Sequence, residues 1–316
     1  MKKVTVSAPG KLHLSGEHAV VYGKPALVVA TSLRLYTTLE TGAGATLLRK
    51  MRKNDRYIEA ISAAFEKKYG ASIKDDVGIT ITSSIPIGSG MGSSSALAVS
   101  LSGALCVWHG MPWNPQAVND IAYQAEKTIY KGSSGSDPAV STHGGILWYR
   151  KELEFLKTLW LLPFKIPKTF APFVLINTGR KESTGDLVAH VGEGKKRDEK
   201  KFAVLLDAVE KVTKQTAQSI HDEDEKGFRR SISENEQYLE EMGIVSAPVR
   251  AFIRAVEEAG GVAKISGAGG IQTGSGVVVA IHDTAQKIIA LAKKRKYETF
   301  QVVLGGEGVK MEQATA

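Results

Sequence analysis

Between an alternating apolar run (Val77, Ile79, Ile81) and an unbroken apolar-and-small run (Leu97 to Val107) stands Pro86-Ile87-Gly88-Ser89-Gly90-Met91-Gly92-Ser93-Ser94-Ser95-Ala96. The first run predicts a strand and the second a buried helix. A strand that feeds a helix through a glycine-rich turn constrains the chain strongly. Glycine takes left-handed backbone without strain, and a helix start leaves several backbone N–H groups aimed at one place. Together with the positive end of the helix dipole they suit a polyanion, a phosphate above all. The pattern is not GxxxxGK[ST], because no Lys follows the last glycine. It is not the dinucleotide fingerprint either, because the spacing is GxGxG and no acidic residue marks a following strand end. A plain strand-to-helix turn is the alternative, and three glycines followed by three serines weigh against it.

The 316 residues allow two domains of ordinary size. An apolar fraction of 43% and a charged fraction of 23% describe a globular chain. The single cysteine, Cys106, lies in the apolar helix, so no disulfide can form within the chain. A buried thiol of this kind fits a reducing cytosol, and a cytoplasmic protein is expected. Lys2 and Lys3 are followed by strand-like residues and Ser7-Ala8-Pro9-Gly10 instead of an apolar signal core. No apolar run approaches a membrane span, so no membrane partner is expected. The net charge of +8 would suit nucleic acid or a small anionic substrate. The basic groups Arg49 to Lys53, Lys195 to Lys201 and Lys293 to Lys296 are dispersed, and the last two lie on or beside helical sequence. Solvated helix faces explain them, and the basic–aromatic interleaving of a nucleic-acid reader is missing. A small-molecule partner is therefore expected, with no nucleic acid; a homodimer is left open.

Strands are predicted over 3–8, 26–41, 77–83, 145–149, 173–177, 262–265, 277–281 and 299–304. Helices are predicted over 54–69, 93–108, 114–130, 198–221, 224–242, 247–259 and 284–294. Asn114 caps the third of these, with Pro115 in its first turn. Gly132 to Ser136 reads as a polar turn, and Glu312 to Ala316 as a frayed end. Pro163, Pro167 and Pro172 punctuate the middle, which puts a domain boundary near 165, between halves 1–165 and 166–316. The β-α-β ending suggests a small α+β sandwich.

Three further segments carry chemistry. Pro9-Gly10-Lys11-Leu12-His13-Leu14-Ser15-Gly16-Glu17-His18-Ala19-Val20-Val21-Tyr22-Gly23-Lys24-Pro25-Ala26 crowds a Lys, a Glu and two His among glycines and apolar residues. Such groups are costly to bury unless paired or used. Taken alone, His13 reads as a surface or satisfied residue, and Glu17-His18 as a cap at a turn. Glu126 falls in the helix over 114–130, ahead of Ser134-Gly135-Ser136-Asp137-Pro138-Ala139-Val140-Ser141. By themselves these would be a solvent-facing helix carboxylate and a turn former before proline. Lys264-Ile265-Ser266-Gly267-Ala268-Gly269-Gly270 follows the strand over 262–265.

Taken in order, the segment from Pro9, the glycine–serine loop and the segment from Lys264 resemble the three motifs of the GHMP kinase superfamily. Within it, Gly16-Glu17-His18-Ala19-Val20-Val21-Tyr22-Gly23-Lys24-Pro25-Ala26 resembles the signature of the mevalonate kinase family; galactokinases carry an acidic and aromatic pair after the Glu-His that is absent here. The resemblance spans nearly the whole chain. It implies a two-domain α/β and α+β fold, the N-terminal half like ribosomal protein S5 domain 2 and the C-terminal half a ferredoxin-like sandwich, with ATP in the cleft between them. It implies ATP-dependent phosphorylation of mevalonate in isoprenoid precursor synthesis. The alternatives weighed are another GHMP kinase, acting on phosphomevalonate, a sugar or homoserine, and a non-catalytic nucleic-acid-binding protein.

The resemblance also implies roles. Pro86, Gly88, Ser89, Gly90, Met91, Gly92, Ser93 and Ser94 would hold the nucleotide, largely through backbone N–H groups. Ser94 and Glu126 would ligate Mg²⁺, since this spacing between a metal-ligand glutamate and a catalytic aspartate is the family's. Asp137 would face the substrate hydroxyl, with Lys11 beside it. Glu17, His18, Gly267 and Ala268 would line the substrate pocket. Ser183-Thr184 aligns with a substrate-side pair, which puts Thr184 in that pocket. Phosphoryl transfer wants these residue types because its loose transition state is served by positioning and electrostatics. The third motif departs from the family, which runs on in glycines: Ile271-Gln272-Thr273-Gly274-Ser275-Gly276 is longer and more polar.

Overall fold

The computed structural model describes residues 2–41, 56–72, 77–86, 88–130, 133–153 and 156–315. The basic group Arg49 to Lys53, the helix start at Asn54 and Asp55, Ile87, Gly132 and Ala316 lie outside these residues.

The first sheet is antiparallel, with strand order β10-β1-β2-β4-β5 and β3 also paired to β2. Its strands are β1 (Lys3–Ser15), β2 (Ala26–Thr41), β3 (Val77–Ser83), β4 (Ile146–Lys151), β5 (Lys157–Leu161) and β10 (Lys310–Thr315). β2 is long enough to serve two partners. Its first residues pair with β4 and its last with β3, while β1 follows its other edge. Among the described residues, four α-helices belong to this half: α1 (Arg56–Tyr69), α2 (Ser93–Trp108), α3 (Pro115–Ile129) and α4 (Ser136–His143). α2 is buried almost all round, as its apolar run requires; Ala96, Val99, Leu101, Ala104 and Leu105 lie in the core with Val6, Leu12, Leu14 and Leu27 of the sheet.

The second sheet runs β7-β8-β6-β9, also antiparallel: β6 (Phe173–Asn177), β7 (Val262–Ser266), β8 (Val277–Ile281) and β9 (Glu298–Val302). Around it stand α5 (Thr184–Arg197), α6 (Glu199–His221), α7 (Glu225–Glu241), α8 (Ala247–Glu258) and α9 (Ala285–Lys294). Both faces of its central strands are covered. Phe173, Leu175, Val277 and Val279 join the core of the first half, while Val174, Ile176, Val278 and Ala280 pack on the helices of the second. This covering explains why β6 and β8 read as unbroken apolar runs.

Three expectations need correction. The chain end is no frayed tail: Lys3, Val4 and Thr5 pair with Thr315, Ala314 and Gln313. A cut at 165 therefore leaves β10 on the wrong side, since the closing strand completes the first sheet. The polar turn before Asp137 ends in a short helix, α4, entered through left-handed Gly135 at φ +86°. Finally, β1 extends to Ser15, so Lys11 and His13 are strand residues, two apart and on one face.

Candidate active site

The glycine loop stands at the N-terminus of α2. Gly88, Gly90 and Gly92 take φ of +75°, +87° and +81°. Gly92 is required twice over: besides its positive φ, a Cβ there would meet Lys11 Cγ at 2.6 Å. The loop is locked to β1 by the Lys11 amide, which donates to the Met91 carbonyl at 2.9 Å. No side chain caps α2, so its first N–H groups are left for a ligand. Side chains built at Gly88 or Gly90 would meet nothing within 4 Å, so that face is open. Two expected loop ligands are restricted to their backbone. The Ser89 hydroxyl is buried and donates to the Pro86 carbonyl at 2.8 Å, and Met91 packs into the core.

Lys11 and Asp137 meet at 2.9 Å, Nζ to Oδ2. Lys11 is almost fully buried, whereas 28% of the Asp137 side chain remains accessible. His13 brings Nε2 to 3.7 Å from the other carboxylate oxygen. Burial alone would raise the Asp137 pKa; the Lys11 ammonium and His13 outweigh it and hold the carboxyl well below the usual range. Its place in the first turn of α4 acts in the same direction. His13 was not expected here. The signal was the i, i+2 spacing from Lys11, visible only once both were taken as strand residues.

Glu126 projects from α3. Its Oε1 accepts from Ser133 Oγ at 2.9 Å, and its Oε2 is buried without a partner. Burial, then the charge of Asp137, pushes its pKa up to about 7. A buried carboxylate oxygen with no donor suits a cation. Ser94, in the first turn of α2, keeps an exposed hydroxyl. Among the described residues no cluster of three or more His, Cys, Asp or Glu could hold a metal. A cation here would therefore rest on Glu126, the Ser94 hydroxyl and ligand phosphates, which fits the few protein ligands Mg²⁺ takes. Tyr57 and Tyr130, also unforeseen, close this side; the Tyr57 hydroxyl donates to that of Tyr130 at 2.7 Å and is hydrogen-bonded with Ser94.

The motif residues Glu17 and His18 separate. The Glu17 carboxylate is fully buried against the Lys264 ammonium and accepts from Asn235 Nδ2 at 3.1 Å. Its oxygens are occupied, so the expected substrate-lining role of Glu17 is corrected to a structural ion pair. His18, 3% exposed, places Nε2 2.9 Å from the Ala268 carbonyl. A carbonyl only accepts, so Nε2 carries the proton. Burial lowers the His18 pKa and keeps the ring neutral, which leaves Nδ1 as an acceptor. That geometry suits a hydroxyl donor, not a carboxylate.

The third motif fastens the halves. Ser266 Oγ accepts from the His13 amide at 2.8 Å, beside Ala268, and a Cβ on Gly267 would meet nothing within 4 Å. The polar extension after it packs against the β6–α5 connection and ends beside the nucleotide loop, where a Cβ on Gly276 would meet the Ser89 carbonyl oxygen at 3.2 Å. Glu182 Oε1 accepts from the amides of Ile271 and Gln272, and Thr178 Oγ1 donates to the Gly276 carbonyl at 2.8 Å. Ser183 is consumed in a reciprocal capping box with Asp186, whereas Thr184 is exposed at the start of α5.

The description "GHMP kinases N terminal domain" matches residues 56–145, from α1 to the start of β4. The mevalonate kinase of Pyrococcus furiosus is 30% identical, covering 98% of this chain and 99% of its own. The chain belongs to the mevalonate kinase family. Its fold is the two-domain GHMP kinase fold. The mevalonate kinase of Methanococcus jannaschii superposes with a TM-score of 0.80 at 19% identity, over 96% of this chain and 98% of its own. L. major mevalonate kinase, solved in complex with R-mevalonate, superposes with a TM-score of 0.79 at 21% identity, over 98% and 97%. Like other members of the mevalonate kinase family, the chain is an enzyme, a kinase. No helix among the described residues is long and apolar enough to cross a membrane.

Proposed function

We propose that this chain transfers the γ-phosphoryl group of ATP to the 5-hydroxyl of mevalonate. The observation that carries the reading is the Lys11–Asp137 pair at the foot of an open glycine loop, with the aspartate accessible and the lysine not. The α2 N-terminus and loop amides would take the phosphates. Glu126 and Ser94 would hold Mg²⁺, which would neutralise phosphate charge. Asp137 accepts a hydrogen bond from the attacking hydroxyl and orients it. A carboxylate held so far below its usual pKa is a weak base, so it receives the proton late, as the loose transition state collapses. Lys11 keeps Asp137 ionised and lies where charge grows on the transferring group. His18 Nδ1 and Thr184 would hold the substrate's other polar groups.

The buried, reduced Cys106 supports a cytosolic setting. The assembly proposed is a homodimer, supported by the edge of β5, which is unpaired among the described residues and where Leu159, Trp160 and Leu161 are exposed. A coupled ADP-release assay across mevalonate, phosphomevalonate, galactose and homoserine tests the reaction. Release with mevalonate alone is expected; preference for another acceptor would leave the family intact and overturn the substrate.

A further inference from the structure

The reaction proposed above leaves the His13 ring unassigned. His13 lies two residues beyond Lys11 on the same face of β1, and 11% of its side chain is accessible. Its backbone is held from both sides. Pairing with β2 is regular over Lys11, Leu12 and His13 and shifts register on either side, between Pro9 and Lys11 and between His13 and Ser15. Irregularities of this kind re-aim side chains and recur beside active sites. From the C-terminal half, Ser266 Oγ accepts from the His13 amide at 2.8 Å and donates to the His13 carbonyl at 3.1 Å. Lys264 Nζ donates to the same carbonyl at 3.3 Å. The strand that opens the third motif thus grips the backbone of one residue of the first, and the ring of that residue faces Asp137.

The Asp137 carboxylate needs more than one partner to keep its plane. Lys11 Nζ holds Oδ2 at 2.9 Å, but an ammonium is a point charge and fixes no plane. On Oδ1 the Ser136 hydroxyl donates only at 3.4 Å, and it is also engaged with Ser134 Oγ at 2.8 Å. His13 Nε2 faces Oδ1 at 3.7 Å. That is longer than a hydrogen bond, and contacts that serve catalysis often tighten only with substrate in place. The tautomer follows from the other nitrogen. Among the described residues Nδ1 is buried without a hydrogen-bond partner. A proton there would be a buried donor with nothing to receive it, so the ring carries its proton on Nε2. The same observation argues against a proton relay, which would need Nδ1 to pass the proton on.

We propose that His13 is a positioning residue for Asp137: its Nε2–H fixes the second carboxylate oxygen, so that the plane of the carboxylate is set before the acceptor hydroxyl arrives. Each oxygen keeps a further lone pair for that hydroxyl. The third motif acts on the reaction through this ring, by way of Ser266 and Lys264, and so carries the packing of the C-terminal half into the orientation of the carboxylate. The inference rests on the proposed role of Asp137 and deepens it.

The test uses the full chain with His13→Leu, which removes the donor at similar volume, and His13→Gln, whose amide nitrogen can stand near the place of Nε2. Ser266→Ala is made alone and together with His13→Leu. Melting temperatures are measured beside kcat and the KM for ATP and for mevalonate. For His13→Leu, kcat is expected to fall about ten-fold or more with both KM values in place, because a misaimed carboxylate costs the transition state and not binding. His13→Gln should recover most of the loss. Ser266→Ala should lower kcat less and add little to His13→Leu, because both changes act through one ring. A His13→Leu enzyme within about two-fold of the parent, or a His13→Gln enzyme no better than His13→Leu, overturns the positioning role. A loss that follows the melting temperature across the variants overturns it too. Losses for Ser266→Ala and His13→Leu that multiply in full take the third motif out of it. Asp137→Asn separates this inference from the reading beneath it. If Asp137→Asn is inactive while the His13 variants match the parent, the reaction stands and the positioning falls; if it turns over like the parent, both fall.

Discussion

Two lysine–carboxylate pairs lie close together in this molecule, and they do different things. Lys11 meets Asp137 in the cleft, where the carboxylate stays 28% accessible. Lys264 meets Glu17 a few residues further along the first motif, and both side chains are fully buried. The second pair is hemmed in by Asn235 and Glu236 from α7, with Glu236 Oε2 accepting from the Ile265 amide at 2.8 Å. Solvent can reach the first pair and not the second. The same pairing of groups is therefore open to the proposed reaction in one place and joins the first motif to the third in the other.

The sharpest way to break the comparison is at the buried pair. Lys264→Met leaves Glu17 uncompensated and should cost about 3–5 kcal/mol of stability, read by denaturant unfolding. The folded fraction should bind ATP like the parent. If instead stability holds and ATP binding collapses, the two pairs are not separable in this way.

At the cleft the balance reverses. Asp137→Asn should lower kcat by about 10²-fold or more with little change in ATP affinity or melting temperature. Near-parent turnover on mevalonate would remove Asp137 from the mechanism.

Smaller effects sharpen the assignment. Glu126→Gln should raise the Mg²⁺ concentration for half-maximal rate by about ten-fold, the scale of one lost charged ligand, and Ser94→Ala, which removes a neutral hydroxyl, by less. Metal titrations that overlay the parent's would take both residues out of the cation site. His18→Ala should raise the KM for mevalonate by about ten-fold and leave that for ATP unmoved, since a polar group without its partner costs roughly 1–3 kcal/mol.

The mildest test concerns Glu236. Burial pushes its pKa up to about 8 from an ordinary 4.5. The folded state then binds a proton that the unfolded state releases. The stabilising contribution is fully present below about pH 4.5 and is lost as pH rises to about 8, with a slope of at most about 1.4 kcal/mol per pH unit. Glu236→Gln, close in shape to the neutral acid, should change stability little at low pH and flatten this dependence. An unaltered pH–stability curve would place the titration elsewhere.

Much of the fold was legible because its signals are local. The apolar run after the glycine loop could only be a buried helix, and α2 spans Ser93–Trp108. Asn114 and Pro115 marked the start of α3, and the Asn114 side chain accepts from the Ala117 amide. β10 was missed because Lys310–Thr315 is exposed throughout and has no apolar alternation; it is a strand only because β1 offers it an edge. α5 was missed for a related reason, since few of its residues are buried. In the site, that Lys11 lies beside Asp137 could be expected from the resemblance to the family's motifs. That His13 joins Asp137 and that Glu17 turns inward could not.

The sequence by itself determined which backbone could turn, where an anion could be received and which groups could carry a proton or a cation. These properties belong to single residues and to spacings within one strand or helix. The tertiary structure alone decided which charges face the cleft and which are sealed. That depends on how closely the second sheet packs against the first, and so on how much water each carboxylate keeps. Desolvation and the distance to the nearest opposite charge set what an ionisable group can do, and both come from chain segments hundreds of residues apart.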